Sequence, residues 1–313
     1  MVTIKRRVIQ IAGSTQLVSL PRKWAIKNNI KKGDEIDVIE DGDKIIVSAN
    51  DVKKSEKVKL DINNYKLFVL RAVASLYKSG YDEVELKFDD FKLVKDLPQQ
   101  INELLPGFEV LDQTTNSLLI KSVATEDNAE FDSALRRIFI VTVAMGRNIF
   151  EILENFDKPK ISSIMQLEMT NNRFCNFCER LLNKKGFKDH KKVTFVYNIV
   201  WELEKIGDQF KYICLFLDEH EKNIKPNKDI IELAKKTNKN LESFYELFYK
   251  FNQNLVAEIA DSRKEIVEKS NQLFTQKLGN EIKILHHLVN VNQMIFNMVG
   301  SYLGVVIKPE EVD

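Results

Sequence analysis

The run from Val193 to Leu217 sets the strongest constraint on what this chain of 313 residues can become. Its apolar residues fall at Val196, Ile199, Leu203, Ile206, Phe210, Ile213 and Leu217, alternating steps of three and four, which is the seam of a packed helix. At ~100° per residue the other face carries Tyr197, Trp201, Glu204, Asp208 and Tyr212, so the helix belongs at the centre of a bundle. Glu204 and Asp208 sit one turn apart and stack on the same side. Gly207 between them costs ~1 kcal/mol of helix propensity relative to Ala, which close approach by a neighbouring helix would offset. By spacing alone the two carboxylates read as a solvated acidic pair.

The length suffices for two or three domains, each with its own core. Charged residues make up 30% of the chain at a net charge of +1, so a nucleic-acid partner has to be recognised through local charge. Nowhere do ~18 consecutive apolar residues occur, and a cytoplasmic protein without membrane insertion is expected. The most apolar candidate, His287 to Ile307, contains Asn290, Asn292, Gln293 and Asn297 and reads as a buried helix. Cys175, Cys178 and Cys214 are too few for a disulfide framework, and the C-x-x-C has no second pair to complete a zinc site; they read as small packing residues. The four histidines show no ligand spacing, and no nucleophile–base motif, P-loop or dinucleotide fingerprint is present. No enzyme is expected.

Residues 1–50 read as short strands around one helix: Ile4 to Ile11, a turn at Gly13, Leu17 to Leu20, a helix opened by Pro21, then a hairpin through Asp41-Gly42. A unit of about fifty residues seldom holds a core alone, so a second copy is expected to complete it. Lys5, Arg6, Arg7, Arg22, Lys23, Lys27, Lys31 and Lys32 all precede the first acidic residue, Asp34, which leaves a basic front and an acidic hairpin. The ordered series S-L-P-R-K-W, I-K-K-G-D-E-I-D-V and D-G-D-K-I-I-V resembles the AbrB/SpoVT family of swapped-hairpin DNA-binding domains. The resemblance implies an intertwined homodimer, a swapped-hairpin β-barrel that presents Lys5, Arg6, Arg7, Arg22 and Lys23 to double-stranded DNA. Trp24 departs from the family pattern in a way that a packing role accommodates.

The polar run Asn50 to Lys59 reads as a linker. A small α+β unit follows over residues 58–124: a helix ending at Gly80, a strand from Val84 to Phe88, a short helix from Pro98 to Leu105 and a hairpin over Phe108 to Gln113 and Ser117 to Val123. It carries no motif and reads as a spacer or oligomerisation module, with a ligand sensor as the alternative.

Residues 128–307 are helical throughout, with six helices: one opened by an Asp127–Glu130 capping box, then Ser162 to Asn183, Val193 to Leu217, Asp229 to Phe251, Leu255 to Leu278 and Asn280 to Val306. Short connections suggest two antiparallel three-helix units. The run Leu203-Glu204-Lys205-Ile206-Gly207-Asp208 resembles the signature of the PhoU family of phosphate-uptake regulators, which are two three-helix bundles with acid-x-x-x-acid motifs that hold metal clusters. The resemblance implies a divalent metal (Mg, Mn, Fe or Zn) at Glu204 and Asp208 and at Asp261 and Glu265. Each bundle retains about half a site: the second helix offers Asn172 and Asn176 with only Glu168 nearby, and the sixth offers Val289 and Gln293. Amides are weak, neutral ligands for a hard cation, so a full cluster is not expected. No Glu-x-x-His pairs suggest a carboxylate-bundle enzyme.

The fold class expected is thus multidomain α+β, with a dimeric N-terminal barrel, a small α+β unit and a C-terminal pair of three-helix bundles. The expected function is a DNA-binding regulator of phosphate homeostasis whose helical domain senses a ligand, a metal, or a partner such as a phosphate-transporter ATPase or sensor kinase. The rival is an adaptor that docks on the transporter ATPase without binding DNA.

Overall fold

The computed structural model describes residues 4–307 except 12, 42–43, 50–55, 124–128, 221–226 and 277. The chain parts into two compact units, Met1–Ser55 and Glu56–Asp313.

In the first unit β1 (Val8–Ile11) pairs antiparallel with β2 (Thr15–Val18), Val8 opposite Val18, and Gly13 takes the turn between them at φ +79. The short helix α1 (Arg22–Lys27) starts directly after Pro21, whose fixed φ suits that position. A second hairpin joins β3 (Ile36–Asp41) to β4 (Lys44–Ala49), with Asp41 opposite Lys44; its turn lies outside the described residues. The four strands form two separate two-stranded sheets. No barrel closes among the described residues of one chain; the expected barrel is one that two chains build together. The physical reason is coverage: none of the described side chains of this unit is buried.

The second unit opens with β5 (Lys57–Asp61), where a linker is expected from sequence. K-V-K-L-D alternates, but over five residues flanked by charge the period is too short to stand out; parallel pairing to β6 (Glu83–Lys87) is what orders it. Helix α2 (Val69–Lys78) makes the crossover and ends before Gly80, at φ +95. Helix α3 (Leu97–Leu104) and the hairpin β7 (Phe108–Gln113) and β8 (Ser117–Ser122) complete a sheet of order β5-β6-β8-β7, antiparallel after the first pair. Val73 and Tyr77 of α2, Ile101 of α3, and Val84, Leu86, Leu118 and Ile120 of the sheet form its core.

Six long helices follow: α4 (Ala129–Glu154), α5 (Lys158–Lys185), α6 (Val193–Glu219), α7 (Lys228–Tyr249), α8 (Gln253–Phe274) and α9 (Ile282–Val306). The cap expected at Asp127 lies outside the described residues. Pro159 sits in the first turn of α5, and Asn227 and Asn252 cap α7 and α8 by accepting the N–H two residues on. Helices α4, α5 and α6 pack together, as do α7, α8 and α9, and the two groups are joined through α6 with α9 and α4 with α7. One continuous apolar core runs through all six. All seven seam residues of α6 are buried, as their spacing predicts.

Gly207 is buried against α5, where an added Cβ would stand 3.1 Å from Asn171 Oδ1. That close approach offsets the glycine's propensity cost. No helix among the described residues is long and apolar enough to cross a membrane; α9 instead buries Asn292, which accepts from Asn240 Nδ2 at 3.0 Å.

The small α+β unit is bound to the helical body by α5, which packs against α2 and α3. Arg180 of α5 is 1% exposed and donates to the carbonyls of Tyr77 and Tyr81, each at 2.7 Å, and to Asp82 Oδ1 at 2.9 Å. Lys184 also pairs with Asp82, and Asn183 donates to the carbonyl of Lys78.

Candidate functional site

The basic residues expected at DNA are exposed: Lys5, Arg6 and Arg7 on the extended segment before β1, and Arg22 and Lys23 in the first turn of α1. Lys27, Lys31 and Lys32, which follow that turn, are exposed as well. The same unit leaves its apolar strand residues uncovered, with Val8, Ile9, Ile11, Leu17, Val18, Val38, Ile45 and Ile46 between 44% and 69% exposed. Polar and apolar recognition surfaces therefore coexist on one small unit: charge for an anionic partner, and strand faces for a protein one.

The acidic residues expected at a metal lie between α5 and α6, and their surroundings decide their chemistry. Glu168 of α5 comes together with Glu204 and Asp208 of α6, through two lysines. Lys211 Nζ stands 2.6 Å from Glu168 Oε1 and 2.5 Å from Asp208 Oδ1. Lys205 Nζ stands 2.6 Å from Glu204 Oε2 and 3.2 Å from Asp208 Oδ2, and lies 4.8 Å over the Trp201 ring. Asn172 Nδ2 donates to Glu168 Oε1 at 2.8 Å. Asn176, the other amide of the motif, turns instead to the carbonyl of Leu104 at 3.1 Å.

Helical spacing places Lys205 and Lys211 three residues before and after Asp208, and both reach it from their own helix. Burial opposes the charge of Lys211, but its hydrogen bonds to Asp208 and Glu168 outweigh that and raise its pKa above the ordinary value. For Glu204 burial wins: its pKa is raised despite the Lys205 contact, with Asp208 and Glu179 adding repulsion. The Lys205 contact is an ion pair by distance without hydrogen-bond geometry, since Glu204 Oε2 has no hydrogen-bond partner.

Between α8 and α9 no comparable acidic cluster forms among the described residues. Asp261 and Glu265 are exposed, and Glu265 pairs with Lys236 of α7 at 3.1 Å and does not face α9. Facing α9 is Arg263, whose Nη2 donates to Gln293 Oε1 at 2.7 Å and whose guanidinium lies 4.3 Å over Phe296. Among the described residues, no three His, Cys, Asp or Glu side chains converge as a metal ion would require. The donor set does not fit a divalent cation as it stands: at α5 and α6 the oxygens already hold ammonium groups, and at α8 and α9 a guanidinium lies at the helix seam. Lys205, Lys211 and Arg263 are the residues the motif reading passes over, although the spacing of both lysines from Asp208 was visible in the sequence.

Cys175, Cys178 and Cys214 are buried with free thiols. Burial pushes all three thiols up, Cys214 to about 12, so they remain protonated packing groups.

Residues 9–58 match the family model described as antidote-toxin recognition MazE, bacterial antitoxin. No curated protein matches the chain. Among solved structures the chain is similar to the phosphate transport system regulatory protein PhoU from Streptococcus pneumoniae, at 15% sequence identity and a TM-score of 0.47, over 56% of this chain and 92% of that one. The N-terminal unit therefore carries the likeness to the antitoxin family.

Proposed function

We propose that this chain is a DNA-binding transcriptional regulator of phosphate homeostasis, a homodimer built on its N-terminal unit, with no catalytic role. The observation that carries the reading is the state of that unit: five basic side chains are exposed on a domain that buries none of its described apolar residues. Covering one such strand residue is worth ~1.5–3 kcal/mol, so several of them favour a second copy strongly. A dimer doubles the basic set and presents Lys5, Arg6, Arg7, Arg22 and Lys23 from both chains to the two-fold geometry of duplex DNA. The match of residues 9–58 to an antitoxin family model supports this reading.

The phosphate part rests on the resemblance of Leu203 to Asp208 to the PhoU signature and on the six helices that carry it. In this reading the helical body receives the signal from a phosphate-transporter ATPase or a sensor kinase.

The test is duplex binding by the full chain as a function of salt. Each neutralised phosphate contributes about −0.9 to the log–log slope through counterion release. Replacing Arg6 and Arg7 by Ala flattens the slope by up to ~4 per dimer and weakens all sequences alike, while neutralising Lys27, Lys31 and Lys32 changes it less. Absence of salt-dependent binding, including to DNA upstream of its own gene, rejects the regulator and leaves the transporter adaptor.

A further inference from the structure

We infer that the carboxylate cluster between α5 and α6 is a metal-independent site in which Lys205 and Lys211 serve as intramolecular counter-cations, occupying the place a divalent ion would take. Two observations converge on this. Glu168, Glu204 and Asp208 come from two helices and are largely buried, with side chains 6%, 22% and 15% exposed, so they need compensating charge from close range. The ammonium groups bridge pairs of them as a cation would: Lys211 holds one oxygen from each helix, and Lys205 spans Glu204 and Asp208.

Charge decides which cation wins. Three carboxylates facing two lysines leave one residual negative charge, too little to draw a dication out of water, whereas without the lysines the same oxygens would present three. Tethering also favours the lysines, because a cation attached to the same helix loses no translational freedom on binding. The helix pair is accordingly held together at any metal concentration. Its sensitivity is to ionic strength, and only weakly, because the pairs are mostly buried.

The test uses the full chain after dialysis against a chelator, titrated with MnCl₂ while free Mn²⁺ is followed by electron paramagnetic resonance. The wild-type chain takes up no stoichiometric Mn²⁺. The variant Lys205→Met/Lys211→Met gains Mn²⁺ affinity by at least about tenfold, and adding Glu204→Gln and Asp208→Asn removes the gain. Lys205→Met and Lys211→Met are measured singly too, with circular dichroism and thermal unfolding on each, so that a misfolded double variant does not decide the matter. Stoichiometric Mn²⁺ on the wild-type chain, lost in Glu204→Gln/Asp208→Asn, overturns the inference. So does a set of folded lysine variants with no gain, since the oxygens would then not converge once the ammonium groups are gone.

Discussion

Arg180 Nη2 lies 2.9 Å from Asp82 Oδ1, and this contact, 98 residues apart in sequence, fastens the small α+β unit to the helical body. The guanidinium also lies 4.8 Å from the Tyr77 ring and 5.3 Å from that of Phe108, so it packs on two aromatic rings as well as being hydrogen-bonded. Arg180→Met leaves the carbonyls of Tyr77 and Tyr81 without this donor and Asp82 without one of its cations. A loss of about 3 kcal/mol in urea unfolding is expected. Arg180→Lys recovers only part of it, because one ammonium cannot reproduce the planar fork.

Asp82 gives the same junction an acid limit. Burial raises its pKa, but the hydrogen bonds from Lys184 and from the Glu56 N–H, with the charges of Lys184 and Arg180, outweigh burial and place it below 3.8. A carboxyl depressed in the folded state contributes stability above its unfolded pKa and loses it as pH falls through the folded one. Stability measured from pH 6 down to about pH 2 should therefore drop less in Asp82→Asn than in the wild-type chain. Equal slopes would remove Asp82 from the acid response.

Gly146 of α4 faces Asn238 of α7 so closely that an added Cβ would stand 2.3 Å from Asn238 Oδ1 and 3.1 Å from Phe210 Cζ. Gly146→Ala is expected to cost about 1–3 kcal/mol through overpacking, even though alanine is the better helix former. In the double variant Gly146→Ala/Asn238→Ala part of that cost returns, giving a coupling of about 1 kcal/mol in a thermodynamic cycle. Additive costs would show that α4 and α7 shift apart readily.

The sequence by itself determined what depends on neighbours along the chain. The three-and-four spacing on α6 fixed its buried face, because a helix turns by the same angle whatever it packs against. Pro159 in the first turn of α5 and Gly186 at its end, at φ +77, hold positions that follow from backbone chemistry alone, and the S-L-P-R-K-W series marked the N-terminal unit.

Tertiary structure decided what depends on residues far apart. β5 exists because β6 offers it a parallel partner across a crossover, which the five-residue alternation in K-V-K-L-D is too short to announce. The N-terminal hairpins remain two separate sheets in one chain, since the surface that would close them is not local to either hairpin. The acid-x-x-x-acid spacing at Glu204 and Asp208 was legible, but its meaning was not. Glu168 reaches that site from α5, and Lys211 bridges the two helices only once α5 brings that third carboxylate to it. Spacing along a helix sets which groups share a face, whereas the charge they meet across the interface sets what they bind.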